Sequence, residues 1–148
     1  MLVVNTLIVT RDQIMPAVVQ ACPTFEPLWC EFLNEWQDSS PEDLPYYLVL
    51  GDFALHLNEC LGRGETSCFP SVFALVESWH VKGEPYVREA AKFGLLEGLQ
   101  NCAGGDSAAG KARARQFEKF LGPESLRSWC ELYRFWGGES TTPKDDGV

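Results

Sequence analysis

Three polar residues between positions 50 and 61 have the side-chain types and spacing of a metal site. Asp52, His56 and Glu59 are separated by four and three residues, so on a helix they share one face. Carboxylate and imidazole groups arranged in this way could hold a divalent cation. An amphipathic helix carries its solvated polar residues on the same face, and the chain has only two histidines and no CxxC pair. We therefore predict an exposed face that contacts a partner and binds neither a metal nor a cofactor.

Acid–base or nucleophilic catalysis is the second chemistry that the residue types allow. His56 or His80 beside a carboxylate could act as a general base, and six cysteines are candidate nucleophiles. No GxSxG, HExxH or cysteine-protease signature is present. His80 follows the apolar stripe of a predicted helix, which favours a half-buried, hydrogen-bonded imidazole. We predict no catalytic residue and keep a small enzyme as an alternative.

Two features point toward phosphate ligands, and both are weak. The run GDSAAGK (105–111) matches the GxxxxGK core of a P-loop, but Ala112 follows where Ser or Thr would bind magnesium, and a helix precedes it. A short basic face follows, formed by Lys111, Arg113, Arg115 and Lys119. In a chain of net charge -9, this face is better explained by intramolecular pairing or solvation. We predict no nucleotide and no nucleic-acid partner.

The negative charge lies in the first two thirds of the chain. Residues 1–100 carry 14 Asp and Glu against 5 Lys and Arg, whereas residues 101–148 carry 7 of each. Such a field repels nucleic-acid phosphates and anionic membranes and would steer a basic partner toward the protein. The same charge also serves solubility, so steering and solubility remain alternatives.

The hydrophobic segments and the cysteines indicate the compartment. No segment approaches the roughly 18 apolar residues of a membrane span, and residues 2–9 lack the basic region and cleavage site of an export signal. We therefore expect a cytoplasmic protein with reduced thiols that mostly pack as small hydrophobes. Secretion with three disulfides is the alternative. The six cysteines are Cys22, Cys30, Cys60, Cys68, Cys102 and Cys130.

Apolar residues recur every three or four positions along most of the chain, which predicts helices. We predict an all-α fold, an irregular helical bundle or short helical-repeat-like stack of about six to seven helices. Residues 1–136 form one domain, and residues 137–148 form a flexible tail. Residues 2–9 could be a strand, an extended arm or a helical turn. Trp36 and Trp136, near segment ends, are candidate interface anchors.

Two predicted helices carry the clearest packing signals. In the third, a stripe of apolar residues ends at Gly62 and Gly64, and a short connection makes the fourth helix its antiparallel neighbour. In the fifth, Gly94 and Gly98 each cost about 1 kcal/mol relative to Ala, so we expect another helix to cross closely there. The final helix should present an apolar face made of Leu126, Trp129, Cys130, Tyr133 and Trp136.

Three segments carry a resemblance that spans most of residues 10–136. They are LVLGDFALHL (48–57), YVREAAKFGLLEGLQN (86–101) and FLGPESLRSW (120–129), and they resemble a group of small uncharacterised bacterial proteins. That group is similar to helical immunity proteins encoded beside toxins. The resemblance implies a cytosolic inhibitor that occludes a cognate toxin. It carries over no catalytic residue, because the shared motifs are mainly packing and capping positions.

The acidic helical surface and the resemblance together predict a protein-binding module. We expect an immunity protein whose acidic surface occludes a basic toxin domain, with charge speeding the encounter and aromatic residues supplying affinity. The alternatives are a small enzyme that uses His56 or His80 and a homodimeric scaffold joined through an apolar face. The predicted partner-binding residues are Asp52, His56, Glu59, Glu84 and Glu89.

Overall fold

Seven α-helices make up the part of the chain that the structure, a computed structural model, describes: residues 8–102 and 107–137. They are α1 (Ile14–Ala21), α2 (Glu26–Glu35), α3 (Tyr46–Arg63), α4 (Phe69–Lys82), α5 (three consecutive segments, Pro85–Glu89, Ala90–Leu96 and Glu97–Cys102), α6 (Ala108–Ala114) and α7 (Pro123–Gly137). Short 3-10 turns lie at Arg11–Gln13, Pro23–Phe25, Pro41–Asp43 and Arg115–Phe120. These elements confirm the predicted all-α fold.

The helix boundaries follow the local signals in the sequence. The first turn begins with a capping box, in which the Gln13 side chain accepts the Thr10 backbone N–H at 3.1 Å. Helix α3 ends at Gly64, whose φ of 74° is the left-handed conformation that glycine adopts without a Cβ clash. Helix α4 has Pro70 in its first turn and ends before Gly83, as predicted.

Helices α3 and α5 approach each other closely through glycine. A Cβ added to Gly94 would lie 3.2 Å from Leu50 Cδ1, and one added to Gly98 would lie 3.1 Å from Ala54 Cβ. From Gly94 to Gly98 on α5 the contact partner moves from Leu50 to Ala54 on α3. Each step is four residues toward the C-terminus, so the two helices run in the same direction. The close crossing predicted from the small residues of α5 is therefore confirmed, and its partner is α3.

The buried side chains form one cluster rich in aromatic rings. Phe25 meets Phe53 edge-on at 5.0 Å between centroids, and Phe69 meets Phe117 and Phe120 at 5.8 and 5.2 Å. Such pairs add about 1 kcal/mol each beyond the burial of their area. The cluster anchors α3 and α4 and leaves their outer faces to solvent.

Two packing expectations were wrong. Helix α3 packs mainly on α5, whereas α4 packs on α1, α5 and α7, so α3 and α4 are not close neighbours despite their short connection. On α7, Trp129 is buried and Tyr133 is half-buried against the core as predicted, but Leu126 and Cys130 are exposed, and Ser125, Ser128 and Leu132 are buried among the described side chains. The face is rotated because the two serine hydroxyls are hydrogen-bonded by residues of α4.

The chain ends and one loop fall largely outside the described residues. The structure does not describe residues 1–7, 103–106 and 138–148, so most of the predicted tail and the start of the GDSAAGK run (105–111) lie outside the described residues. Val9 is described, and it pairs with Gly83 as an isolated parallel bridge. Within the described part, no helix is long and apolar enough to cross a membrane.

Candidate functional site

One face of α3 is exposed along most of its length and mixes carboxylates with leucines. Leu48, Asp52, Leu55 and Glu59 are separated by four, three and four residues, so they form one stripe. Leu48 and Leu55 are 53% and 49% exposed. From Leu48 to Glu59 the stripe is about 16 Å long at 1.5 Å per residue. Of the five predicted partner-binding residues, Asp52 and Glu59 lie here.

A second stripe on α5 flanks the first. Glu89, Phe93 and Glu97 follow one another at four-residue intervals, and Phe93 is 46% exposed. Phe93 lies in the π-helical segment Ala90–Leu96, a rare conformation that frequently marks functional sites. Its neighbour Gly94 packs against α3. The stripe therefore borders the seam between the two helices.

Tyr47 connects the two stripes. Its ring lies 5.9 Å from the ring of Tyr86, and its Cα would lie 3.8 Å from a Cβ on Gly94. Burial first, and then the negative charge of Glu89, raise the pKa of the Tyr47 phenol, so Glu89 lies within electrostatic reach of α3.

We call the combined surface the α3–α5 face. Its exposed apolar side chains come from both helices and stand between carboxylates. The sequence interpretation missed its apolar members, although Leu48 and Leu55 flank Asp52 at helical spacing. The face comprises Tyr47, Leu48, Asp52, Leu55, Glu59, Glu89, Phe93 and Glu97.

His56 does not belong to this face, contrary to the prediction that it lies on the solvated side of the helix. Its side chain is 8% exposed, and its Nε2 lies 2.9 Å from Thr24 Oγ1. The rings of Phe25 and Phe53 pack on it at 5.5 and 6.4 Å. Burial lowers the pKa of the imidazole, with a further lowering by the charge of Arg63. The 3-10 turn Pro23–Phe25 covers His56, and helical periodicity carries no information on that turn.

Glu84 also lies apart from the face. It precedes α5 at the end of α4, and its Oε2 accepts the backbone N–H of Arg11 at 2.8 Å. It borders a shallow apolar depression with Ile8, Val81 and Pro85. Glu84 therefore binds the N-terminal segment to the helices. Of the five predicted partner-binding residues, Asp52, Glu59 and Glu89 belong to the α3–α5 face.

His80 is half-buried and hydrogen-bonded, as expected. Its Nδ1 donates to the Val76 carbonyl at 3.0 Å, and its Nε2 is hydrogen-bonded to the Ser128 hydroxyl at 3.0 Å. Ser128 is itself buried. These bonds join α4 to α7 across a packed interface, so the pair holds two helices together.

Glu77 lies one turn before His80 and caps α7. Its carboxylate accepts the backbone N–H groups of Glu124 and Ser125 at 3.0 and 2.9 Å and the Ser125 hydroxyl at 2.9 Å. Burial raises its pKa, but these hydrogen bonds outweigh burial and lower the pKa overall. A Cβ on Gly122 would lie 2.5 Å from Glu77 Cδ, so a larger residue at this position would make the carboxylate shift.

All six cysteines are free thiols, and three of them lie at the ends of helices near His56. Cys22 and Cys60 are buried and Cys68 is half-buried, whereas Cys30, Cys102 and Cys130 are exposed. Cys60 Sγ lies 3.7 Å from His56 Nε2. Among the described residues, no group of three or more His, Cys, Asp or Glu side chains is arranged to hold a metal ion.

The basic face near α6 is partly used inside the molecule. Arg113 donates to the side-chain oxygen of Asn58 at 2.8 Å and to its backbone carbonyl at 3.1 Å. The expected intramolecular role therefore holds for Arg113, although its partner is an amide and not a carboxylate. Lys111, Arg115 and Lys119 are exposed. Trp36 is 36% exposed, and the side chain of Trp136 lies outside the described residues.

Comparison with known proteins identifies a family and no characterised relative. A family model described as Domain of unknown function (DUF7674) matches residues 15–137. No curated protein and no solved structure matches the chain. The family match covers most of the sequence, from α1 to the end of α7. The chain therefore belongs to the DUF7674 family.

Proposed function

We propose that this protein is a binding module whose α3–α5 face docks onto a basic protein, and that it acts in the cytoplasm as an immunity protein against a toxin. The observation that carries the proposal is the exposed stripe Leu48, Asp52, Leu55 and Glu59 on α3. Three segments resemble a group of small bacterial proteins that is itself similar to helical immunity proteins, and this resemblance supplies the class of partner. The face would occlude the basic active-site surface of the toxin.

The charges of the face support a basic partner. Asp52, Glu59 and Glu89 are exposed, and none of them is in an ion pair within the described part of the chain. Carboxylates that keep their charge unpaired in the free protein attract a cationic surface and raise the association rate. This attraction weakens as salt screens it.

The apolar members of the face support a complex that dissociates slowly. Leu48, Leu55 and Phe93 are each about half exposed, and burying them against a partner removes apolar area from water. Aromatic and aliphatic anchors surrounded by polar residues are the usual arrangement of energetic hot spots. Charge would thus govern the encounter, and these side chains would govern the dissociation rate.

The same face is poorly suited to a homodimer. In a two-fold interface each patch meets its own copy, so Asp52, Glu59 and Glu89 would meet carboxylates. Like charges brought together at an interface oppose association. A monomer in size-exclusion chromatography with light scattering would agree with this reasoning, whereas a stable dimer would favour the homodimeric scaffold.

The proposal is tested by affinity capture from a lysate of the cells that make the protein. The wild type and the variant Asp52→Lys/Glu59→Lys serve as paired baits at low and high salt, with bound proteins identified by mass spectrometry. We expect a stoichiometric basic protein that the wild type retains at low salt and the variant does not. Co-expression should then suppress the toxicity of that protein. A captured partner that binds both baits equally, or that is harmless when expressed alone, would contradict the proposal.

A further inference from the structure

Two cysteine thiols from distant parts of the chain meet where α1 ends and α4 begins. Cys22 is the C-terminal cap of α1, and Cys68 is the residue immediately before α4. They are 46 residues apart in sequence, and the Cys68 thiol donates a hydrogen bond to Cys22 Sγ across 3.3 Å. We propose that Cys22 and Cys68 form a reversible disulfide when the protein meets a peroxide. This inference does not depend on the proposed function.

The position of the pair favours bond formation. A disulfide is about 2.05 Å long, so the sulfur atoms must approach by a little more than 1 Å. Both residues lie at helix ends, where a small change of side-chain torsion displaces no residue in the middle of a helix. Helices α1 and α4 already pack against each other, so the cross-link would join elements that are in contact.

Exposure gives the two thiols different roles. Cys22 is fully buried, whereas Cys68 is half-buried, so a small oxidant reaches Cys68 first. Burial, and then the hydrogen bond to Cys22, raise the pKa of the Cys68 thiol to about 12. Because the thiolate is the reactive form, we expect Cys68 to be oxidised at neutral pH more slowly than an exposed cysteine of ordinary pKa, and faster as the pH is raised.

The reaction balances with a peroxide as the oxidant. The Cys68 sulfur attacks the O–O bond of hydrogen peroxide, which gives a sulfenic acid at Cys68 and releases one water. The Cys22 sulfur then attacks Cys68 Sγ, and the sulfenic oxygen leaves as a second water after it takes the Cys22 proton. The protein loses two electrons and two protons, and the peroxide is reduced to two waters. A dithiol reductant reverses the bond by thiol–disulfide exchange.

The other cysteines provide the contrast. Cys60 lies within electrostatic reach of both Cys22 and Cys68, but its hydrogen-bond contacts are with His56 Nε2 at 3.7 Å and the Arg63 guanidinium at 3.8 Å. The remaining three thiols are exposed and would give cross-links between molecules. The cross-linked loop spans residues 22–68 and contains α2 and α3, so its closure restricts the unfolded chain and should raise Tm.

The test uses the full chain with its three exposed cysteines changed to serine, Cys30→Ser/Cys102→Ser/Cys130→Ser. After hydrogen peroxide treatment, thiols are counted under denaturing conditions, and non-reduced peptides are mapped by mass spectrometry. We expect the count to fall from three to one, a peptide pair joined through Cys22 and Cys68, and a Tm increase of roughly 5–10 °C. Dithiothreitol should restore all three thiols and the original Tm.

Two results would overturn the proposal. One is a cross-link that includes Cys60, and the other is oxidation of Cys68 to a sulfinic acid with Cys22 still reduced. Adding Cys68→Ser to the same background should abolish the cross-link, whereas adding Cys60→Ser should leave it intact. Because peptide mapping of the triple variant alone identifies the joined residues, the result does not depend on whether these further variants fold.

Discussion

Gly98 of α5 lies against Ala54 of α3 so closely that a Cβ at position 98 would stand 3.1 Å from the Ala54 Cβ. This contact sets the distance between the helices that carry the α3–α5 face. We predict that Gly98→Leu, which forces them apart, lowers the free energy of unfolding by about 2–3 kcal/mol. Urea denaturation followed by circular dichroism measures the change. A stability equal to that of the wild type would mean that the crossing is looser than described.

Gly51 provides a contrasting position on the facing helix. It is also within a helix, but nothing lies within 4 Å of the Cβ that it lacks. Gly51→Ala should therefore raise the free energy of unfolding by about 0.5–1 kcal/mol, because alanine favours the helix and meets no obstacle. A loss of stability in the same urea experiment would contradict the open space at this position.

The sequence was sufficient where local signals determine the structure. The ends of α3 and α4 follow from Gly64, Pro70 and Gly83, and the close approach of a helix follows from Gly94 and Gly98. These features depend on backbone geometry and on side-chain size. Both can be read from residues that are near one another in the chain.

The errors arise from contacts between distant segments. His56 has helical spacing with Asp52 and Glu59, yet the turn Pro23–Phe25 covers it. On α7, Ser125 is buried because Glu77 accepts its hydroxyl hydrogen bond. The prediction followed the apolar residues alone and therefore placed the buried face of α7 at a rotated position. Neither contact leaves a mark in the local sequence. The exposed residues Leu48 and Leu55 of α3 were missed for another reason: helical spacing places them beside Asp52, but the prediction for this face considered only polar side chains.

His56 should make stability depend on pH. Burial lowers its folded-state pKa below the ordinary 6.5, so protonation favours the unfolded chain. Its stabilising contribution is complete above pH 6.5 and is lost as the pH falls from there toward the folded-state pKa. We predict that His56→Gln destabilises the protein at pH 7.5 by about 1–2 kcal/mol, and by less at pH 5. Urea midpoints of the wild type and the variant at both pH values test this prediction. A difference between the two midpoints that is larger at pH 5 than at pH 7.5 would contradict it.

Glu77 should give a pH dependence in the same direction as His56, but at lower pH, because a carboxylate titrates below an imidazole. Its folded-state pKa is lowered, so its contribution is present above the unfolded value and disappears as the pH falls through the folded one. Glu77→Gln should cost about 1–2 kcal/mol at pH 7 through the weakened cap of α7, and the cost should shrink below about pH 4. Thermal unfolding of the variant and of the exposed control Glu35→Gln measures the difference. Equal losses in both variants would exclude the capping role.

The leucines of the α3–α5 face should control how long a partner stays bound. We predict that Leu48→Ser/Leu55→Ser raises the dissociation rate at least about tenfold at every salt concentration, because apolar contacts are not screened. Leu28→Ser/Leu33→Ser, at exposed positions of α2, is the control and should change it little. Surface plasmon resonance with the captured partner gives both rates. Equal effects of the two pairs would remove α3 from the interface.

The most direct test of the account is the affinity of the captured partner for Asp52→Lys/Glu59→Lys as salt is raised. The control is Glu31→Lys/Asp38→Lys, which makes the same charge change at the same sequence spacing on exposed residues elsewhere. We predict that reversing Asp52 and Glu59 raises Kd at least about tenfold at low salt, that the difference narrows at high salt, and that the control stays near the wild type. A Kd and salt dependence that are the same for both variants would contradict an interface at the α3–α5 face.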